Sequence, residues 1–230
     1  MTDLLCTVCN PALISQGYPE AWCHPCTLAE SASDTTTSVM SCNEVVNTVL
    51  PFRFRREPYP LPASVKDIDL TQTGLFLAGP AGHGKTSIMA RLMRRQIEHA
   101  FRLGDTQQPW QFWDHSKLIN KLREGSRNGE ARRIVQECID ARVVVIDDLG
   151  RATPSTYALG CLWEIVNQRY EACMPTSATT NVSLRDLRER LGEALADRLV
   201  EDGRYIEYVD RNYRDLGGVE VQTTMTGAEA

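Results

Sequence analysis

The sequence predicts an α/β fold, a parallel β-sheet with helices on both faces, preceded by a small cysteine-rich module. Three observations carry this expectation. From residue 74 onward, segments with strand and helix signals alternate, as they do when helices cross between parallel strands. A glycine-rich run, Gly79-Pro80-Ala81-Gly82-His83-Gly84-Lys85-Thr86, separates an apolar stretch from a segment with helical spacing. Further on, Val143-Val144-Val145-Ile146 ends in Asp147-Asp148. A β-branched run of this kind suits a strand buried on both faces, and its carboxyl end is where open α/β sheets place their ligands.

The elements follow in order. Gly74–Ala78 reads as the first strand, and the helix after the glycine-rich loop runs to about Arg102, with Ile88, Leu92 and Ile97 on one face. Trp110–Trp113 is the second strand. Its aromatic residues Trp110, Phe112 and Trp113 could form a base-stacking platform, but a half-buried strand explains them better. Helices are expected from Lys117–Leu122 and around Ile134–Cys138, and Val143–Asp147 forms the third strand. Pro154–Ala172 carries Leu159, Leu162, Trp163 and Val166 at helical spacing. Pro175–Thr180 is the fourth strand, two more helices follow, and Tyr205–Val209 is the fifth strand. No internal repeat is visible.

Upstream, the Ser- and Thr-rich stretch Ser31–Ser41 reads as a tether and Cys42–Leu50 as a short helix. Pro51–Pro62, with Arg53, Arg55 and Arg56, is expected to be extended and basic. Its simplest role is to cross the surface of the core; contact with DNA or an acidic partner is the alternative. The expected organisation is a metal-binding module at 1–30, a linker and basic segment at 31–62, a core at 63–216 and a disordered tail at 217–230.

Composition bounds the rest. The 230 residues are 42% hydrophobic and 24% charged, proportions of a globular protein. No apolar run approaches the roughly 18 residues of a spanning helix, and the N-terminus lacks the pattern of a secretory signal. A cytoplasmic location without a membrane partner is the expectation.

The eight cysteines are unevenly placed. Cys6-Thr7-Val8-Cys9 and Cys23-His24-Pro25-Cys26 form two C-x2-C pairs, each able to present two thiolates to one tetrahedral zinc ion. A redox pair or coincidence is the alternative, and His24 is a weaker candidate ligand than any of the four thiols. Cys42, Cys138, Cys161 and Cys173 lie outside the pattern, and the last three read as small core residues. Residues 1–50 hold Asp3, Glu20, Glu30, Asp34 and Glu44 but no Lys or Arg, so they account for the whole net charge of −5. A zinc module that lacks a basic surface points to protein docking rather than to nucleic acid.

The glycine-rich run has the form of a Walker A loop. Its backbone N–H groups, through Ser87, can cradle phosphates at a helix N-terminus. Lys85 would reach the β- and γ-phosphates, and the Thr86 hydroxyl would bind magnesium. Asp147 fits a Walker B acid that holds magnesium through water. Asp148 stands where many such ATPases place a glutamate that polarises the attacking water; the bland alternative is a turn cap.

From about residue 74 to 214 the chain resembles the DnaC/IstB-type AAA+ ATPases, the bacterial and phage helicase-loader group. The likeness rests on Gly79–Thr86 and Val143–Gly150, then Trp163-Glu164-Ile165-Val166-Asn167-Gln168-Arg169-Tyr170, and Pro175–Asn181. It closes on Leu191-Gly192-Glu193-Ala194-Leu195-Ala196-Asp197-Arg198-Leu199 and Tyr213-Arg214. The Walker motifs are widely shared, whereas the later segments in this order are more specific. The resemblance implies a P-loop NTPase of the AAA+ type without a helical lid, using ATP and Mg2+ beside the module's Zn2+. It implies a sensor role for Asn181, orienting water against the γ-phosphate, and an arginine finger at Arg198 acting on a neighbouring subunit's ATP. Arg198 could instead pair with Asp197 or Glu201. Arg169 is a second candidate for a subunit contact, with Glu164 or Glu171 as alternative partners.

Two departures stand out. The second Walker B acid is Asp148 rather than Glu, which predicts slow hydrolysis, and the chain after Arg198 is short for a lid. The implied function is ATP-dependent loading of a replicative DNA helicase onto single-stranded DNA. The acidic zinc module would grip the helicase, while the core would form a homo-oligomer and engage the DNA. A transposition helper of the IstB type, binding duplex DNA and a transposase, is the first alternative. An ATP-switched adaptor without significant turnover is the second.

Overall fold

The computed structural model describes residues 40–55, 61–105, 109–201 and 203–208. Cys6, Cys9, Cys23, Cys26, Arg56, Tyr213-Arg214 and the tail at 217–230 lie outside the described residues, and so do the expectations attached to them.

Five strands, β1 (Gly74–Ala78), β2 (Trp110–Asp114), β3 (Val143–Leu149), β4 (Thr176–Thr180) and β5 (Gly203–Glu207), form one sheet in the order β2-β3-β4-β1-β5. Every pairing is parallel. Every residue of β1 and β4 is buried, and so is all of β3 apart from Asp148, as expected of strands covered on both faces. Side chains alternate between the two faces. Leu75, Leu77, Val143 and Val145 enter one core with Ile88, Leu92, Ile97 and Tyr208. Phe76, Ala78, Val144, Ile146 and Ala178 enter the other with Leu118, Ile134, Leu162 and Leu195.

The first core lies under helices α1 (Cys42–Val49) and α2 (Lys85–Arg102). The second lies under α3 (His115–Glu124), α4 (Glu130–Asp140), α5 (Thr156–Glu171), α6 (Leu184–Leu191) and α7 (Glu193–Glu201). Local chemistry sets the helix starts. Ser41 and Glu44 close a capping box on α1, and the side chains of Asp114, Ser155 and Ser183 cap α3, α5 and α6. None of the helices among the described residues is long and apolar enough to cross a membrane.

Several boundaries differ from expectation. Asp114 ends β2 and at once caps α3, its carboxylate accepting from the Lys117 amide at 2.9 Å, so the helix opens at His115. β3 continues past Asp147 to Leu149 through an irregular register after Ile146. β5 begins at Gly203, which lies so close to Gly74 that an added Cβ would stand 2.5 Å from the Gly74 carbonyl carbon. Phe52–Phe54 is a 3-10 turn rather than extended chain. Cys42, Cys138 and Cys161 are buried, but Cys173 is exposed: it sits past the end of α5 at φ 54, where the chain turns toward β4.

Candidate nucleotide-binding site

The strand order brings the carboxyl ends of β3, β4 and β1 side by side. The loop after β1, the acidic end of β3 and the residue after β4 therefore converge on one edge of the sheet, although they are far apart in sequence. Gly79 leaves β1 at φ 141, and an added Cβ would meet the Tyr208 carbonyl oxygen at 2.1 Å, so no larger residue fits. Tyr208 is held there by donating its amide to the Ala78 carbonyl at 2.7 Å. The loop from Pro80 through Ala81, Gly82 and His83 closes on itself, with His83 Nδ1 3.1 Å from the Ala81 carbonyl. Gly84 then caps α2 at φ 83 without a side-chain acceptor. Amides in the first turn of α2, such as those of Thr86 and Ser87, are the donors that a helix start offers an anion, with the helix dipole behind them.

The cation and the acids meet across this edge. Lys85 is buried and its Nζ donates at 2.7 Å to each of three oxygens, the Gly79 and Pro80 carbonyls and Asn181 Oδ1. Thr86 Oγ1 donates to Asp147 Oδ1 at 2.9 Å, and Thr179 Oγ1 donates to the same oxygen at 2.6 Å. Burial pushes the Asp147 carboxyl up from the ordinary carboxylate range. The bonds from Thr179 and Thr86 pull it back, and the charges of Asp148 and Asp114 raise it further. A hydroxyl and a buried carboxylate side by side are the hard oxygen donors that Mg2+ takes, and the uncapped helix start fits the phosphates it accompanies. Thr86 and Asp147 would hold the ion, which would neutralise charge on the transferring phosphoryl group.

Asp148 adopts a left-handed backbone, φ 56, uncommon for a non-glycine residue. Its amide donates to Thr179 Oγ1 at 3.0 Å. Asn181 Nδ2 donates to Oδ1 of its carboxylate, and Arg151 pairs with Oδ2 at 3.2 Å. His115, the first residue of α3, is fully buried, and neither ring nitrogen has a hydrogen-bond partner among the described residues. Burial depresses its pKa to about 4, against the opposing pull of Asp114 and Asp148.

The two distal arginines separate. Arg198 is half-buried, stacks its guanidinium 4.3 Å from the Trp163 ring and 5.3 Å from the Tyr170 ring, and bonds Asn167 Oδ1. Its expected neighbour Asp197 pairs instead with Arg188 at 2.8 Å. Arg169 is fully buried, which corrects its reading as a subunit contact. Its guanidinium donates to the carbonyls of Cys138, Ile139 and Ala141, to the Pro175 carbonyl at 2.8 Å and to Thr176 Oγ1 at 3.2 Å. Glu164 and Glu171 are bonded by Gln168 and Asn167 respectively. Sequence reasoning passed over Thr179, Arg151, His115 and the Tyr208 backbone. Thr179 stands in the Thr-Thr-Asn strand end; no local spacing marks the others.

Residues 63–216 match the IstB-like ATP binding protein family, and the chain belongs to it. Its fold is the P-loop AAA+ fold, built on a five-stranded parallel sheet. The chain is 24% identical over 145 residues to an ATP-binding protein of insertion sequence IS21 from Pseudomonas aeruginosa. That match covers 61% of this chain and 52% of the relative, so the chain spans about half the length of that curated relative. Two solved structures share the fold. One is the DnaC helicase loader, at a TM-score of 0.50 and 24% identity, over 62% of this chain and 82% of that one. The other is DnaI, at 0.52 and 18%, over 64% and 77%.

Proposed function

We propose that the chain is an ATPase that hydrolyses ATP and uses it to load a replicative helicase onto single-stranded DNA. The arrangement that carries the hydrolytic part is the convergence of Lys85, Thr86, Asp147, Asp148 and Asn181 on one edge of the sheet. The backbone N–H groups from Ala81 to Ser87 and the Lys85 ammonium bind the β- and γ-phosphates. Asp148 accepts a proton from the attacking water, and Asn181 orients that water against the γ-phosphate. Arg198 of one subunit serves the site of the next in a homo-oligomer, placing positive charge where the transition state spreads negative charge. An aspartate in place of the longer glutamate supports slow turnover.

The loader role draws on the acidic N-terminal segment, where Cys6, Cys9, Cys23 and Cys26 would bind one zinc ion and shape a surface for the helicase. A second reading, the helper of a transposase on duplex DNA, is favoured by the likeness to the IS21 protein. One experiment separates them. The full chain should carry about one zinc, should hydrolyse ATP faster with single-stranded than with duplex DNA, and should bring down a hexameric helicase from host lysate. Stimulation by duplex DNA with capture of a transposase would select the helper. No turnover under either condition would select an ATP-switched adaptor.

A further inference from the structure

The carboxylate of Asp148 is held at both oxygens. Asn181 Nδ2 bonds Oδ1, and the Arg151 guanidinium lies 3.2 Å from Oδ2. These two holds differ in what can release them. The Asn181 amide is also bonded at its other end, where Oδ1 accepts from Lys85 at 2.7 Å. When Lys85 turns to the phosphates of a bound nucleotide, Asn181 loses that partner and its amide is free to reorient. The hold on Oδ1 therefore depends on nucleotide. The hold on Oδ2 does not, because Arg151 touches neither Lys85 nor the glycine-rich loop through any bond among the described residues.

The chain places Arg151 there by a local turn. The Arg151 amide donates to the Asp148 carbonyl at 3.2 Å, and the left-handed backbones of Asp148 and Gly150, φ 56 and 82, fold the chain back. The arginine side chain is 68% exposed while the carboxylate it meets is 22% exposed, so the pair reaches from the surface into the site. A carboxylate acting on water needs an open lone pair aimed at that water. The guanidinium takes up one acceptor direction on Oδ2, and an aspartate has no extra methylene with which to swing clear.

We propose that Arg151 is a positioning residue that restrains Asp148 and so limits ATP turnover from outside the nucleotide pocket. The inference rests on the reading of Asp148 as the group that acts on water. Exposed ion pairs contribute about 0.2–1 kcal/mol, which corresponds to a rate factor of about 1.5- to fivefold. In the full chain, Arg151→Ala should therefore raise kcat by about 1.5- to fivefold. It should leave the KM for ATP and the affinity for a fluorescent ATP analogue unchanged, and should lower the thermal midpoint by no more than a few degrees. Arg151→Lys, which keeps a cation within reach, should restore most of the restraint. An Arg151→Ala kcat equal to or below the parent, with Asp148→Asn inactive, would overturn the restraint and leave the role of Asp148 standing. Asp148→Asn turning over at the parental rate would overturn the role of Asp148, and the kinetic role of Arg151 with it.

Discussion

Two of the buried cations, Lys85 and Arg169, lie at opposite ends of the sheet and are held in opposite ways. At the carboxyl edge Lys85 is bonded to the Gly79 and Pro80 carbonyls and to an exposed Asn181 side chain, all belonging to loops. At the amino edge Arg169 is bonded to carbonyls at and just past the end of α4 and just before the start of β4. The last carbonyls of α4 have no partner within their own helix, and the helix dipole leaves them negative. A guanidinium has five N–H donors in a planar fork against an ammonium's three, and Arg169 spans five acceptors at once. The cation at one end is therefore part of the scaffold, and the cation at the other is free to exchange its partners. The carboxyl edge also holds the left-handed Asp148, the raised Asp147 and the buried His115 ring, whose nitrogens have no partner among the described residues, which is where local strain belongs if the site is to act.

The sharpest way to break this comparison is to neutralise each cation in turn. Arg169→Met should cost about 3–5 kcal/mol of unfolding free energy, because it strands buried carbonyls in the core. Lys85→Met should leave urea unfolding within about 1 kcal/mol of the parent, since its acceptors are loop groups that water can reach. It should instead abolish binding of a fluorescent ATP analogue. Equal unfolding losses for the two variants would show that both ends are structural.

The contrast also explains what was legible beforehand. The Walker loop and the Val143–Asp148 run were readable because their chemistry is written in adjacent residues. The alternating strands and helices gave the sheet for the same reason, with the boundaries at Asp114 and Gly203 missed by one or two residues because a cap and a glycine contact decided them. Arg169 was misread because an arginine on a helix looks the same in sequence whether it faces solvent or the ends of α4 and β4. Thr179 and Arg151 meet Asp147 and Asp148 only because β4 lies beside β3 and a turn folds back on itself, and His115 stands out only through its burial. None of these leaves a spacing to be read.

A second test uses acid. Neutral His115 is favoured by the fold, with a pKa of about 4 against 6.5 in its ordinary state. The unfolded chain therefore binds the extra proton first. Stability should be complete above pH 6.5 and should fall as pH drops from 6.5 toward 4, by up to about 3 kcal/mol. His115→Phe should flatten that slope. A parental acid profile in the variant would move the sensitivity away from the carboxyl edge.

Asp147 has the opposite sign. Its raised carboxyl pKa means that the folded state disfavours the charge, and that cost is present at neutral pH. Asp147→Asn should leave the nucleotide-free protein at least as stable as the parent by thermal unfolding. It should also remove the additional stabilisation that Mg2+ gives to the ATP-bound protein. A variant that kept the full Mg2+ response would show that the ion is held elsewhere.

A small effect on stability is also expected at Arg198, which lies between the two extremes. It is half-buried, stacked on Trp163 and Tyr170, and bonded to Asn167, so it is neither enclosed like Arg169 nor set in the cleft like Lys85. Stacking of this kind at a partly exposed site contributes about 0.5–1 kcal/mol, and Arg198→Ala should lower unfolding stability by no more than that. The same stacking holds the guanidinium on the α5 face, a fixed position from which it could meet a neighbouring subunit. Nucleotide affinity should be parental, because the residue's own site is intact, while hydrolysis by the assembled protein should fall. Mixing Arg198→Ala with Lys85→Ala separates the two roles, since each subunit lacks a different half of a shared site. Partial recovery of activity in the mixture would place the arginine in trans. Full activity of Arg198→Ala alone would make it a packing residue, and the scaffold would then extend from Arg169 along α5 to the outer face of α7.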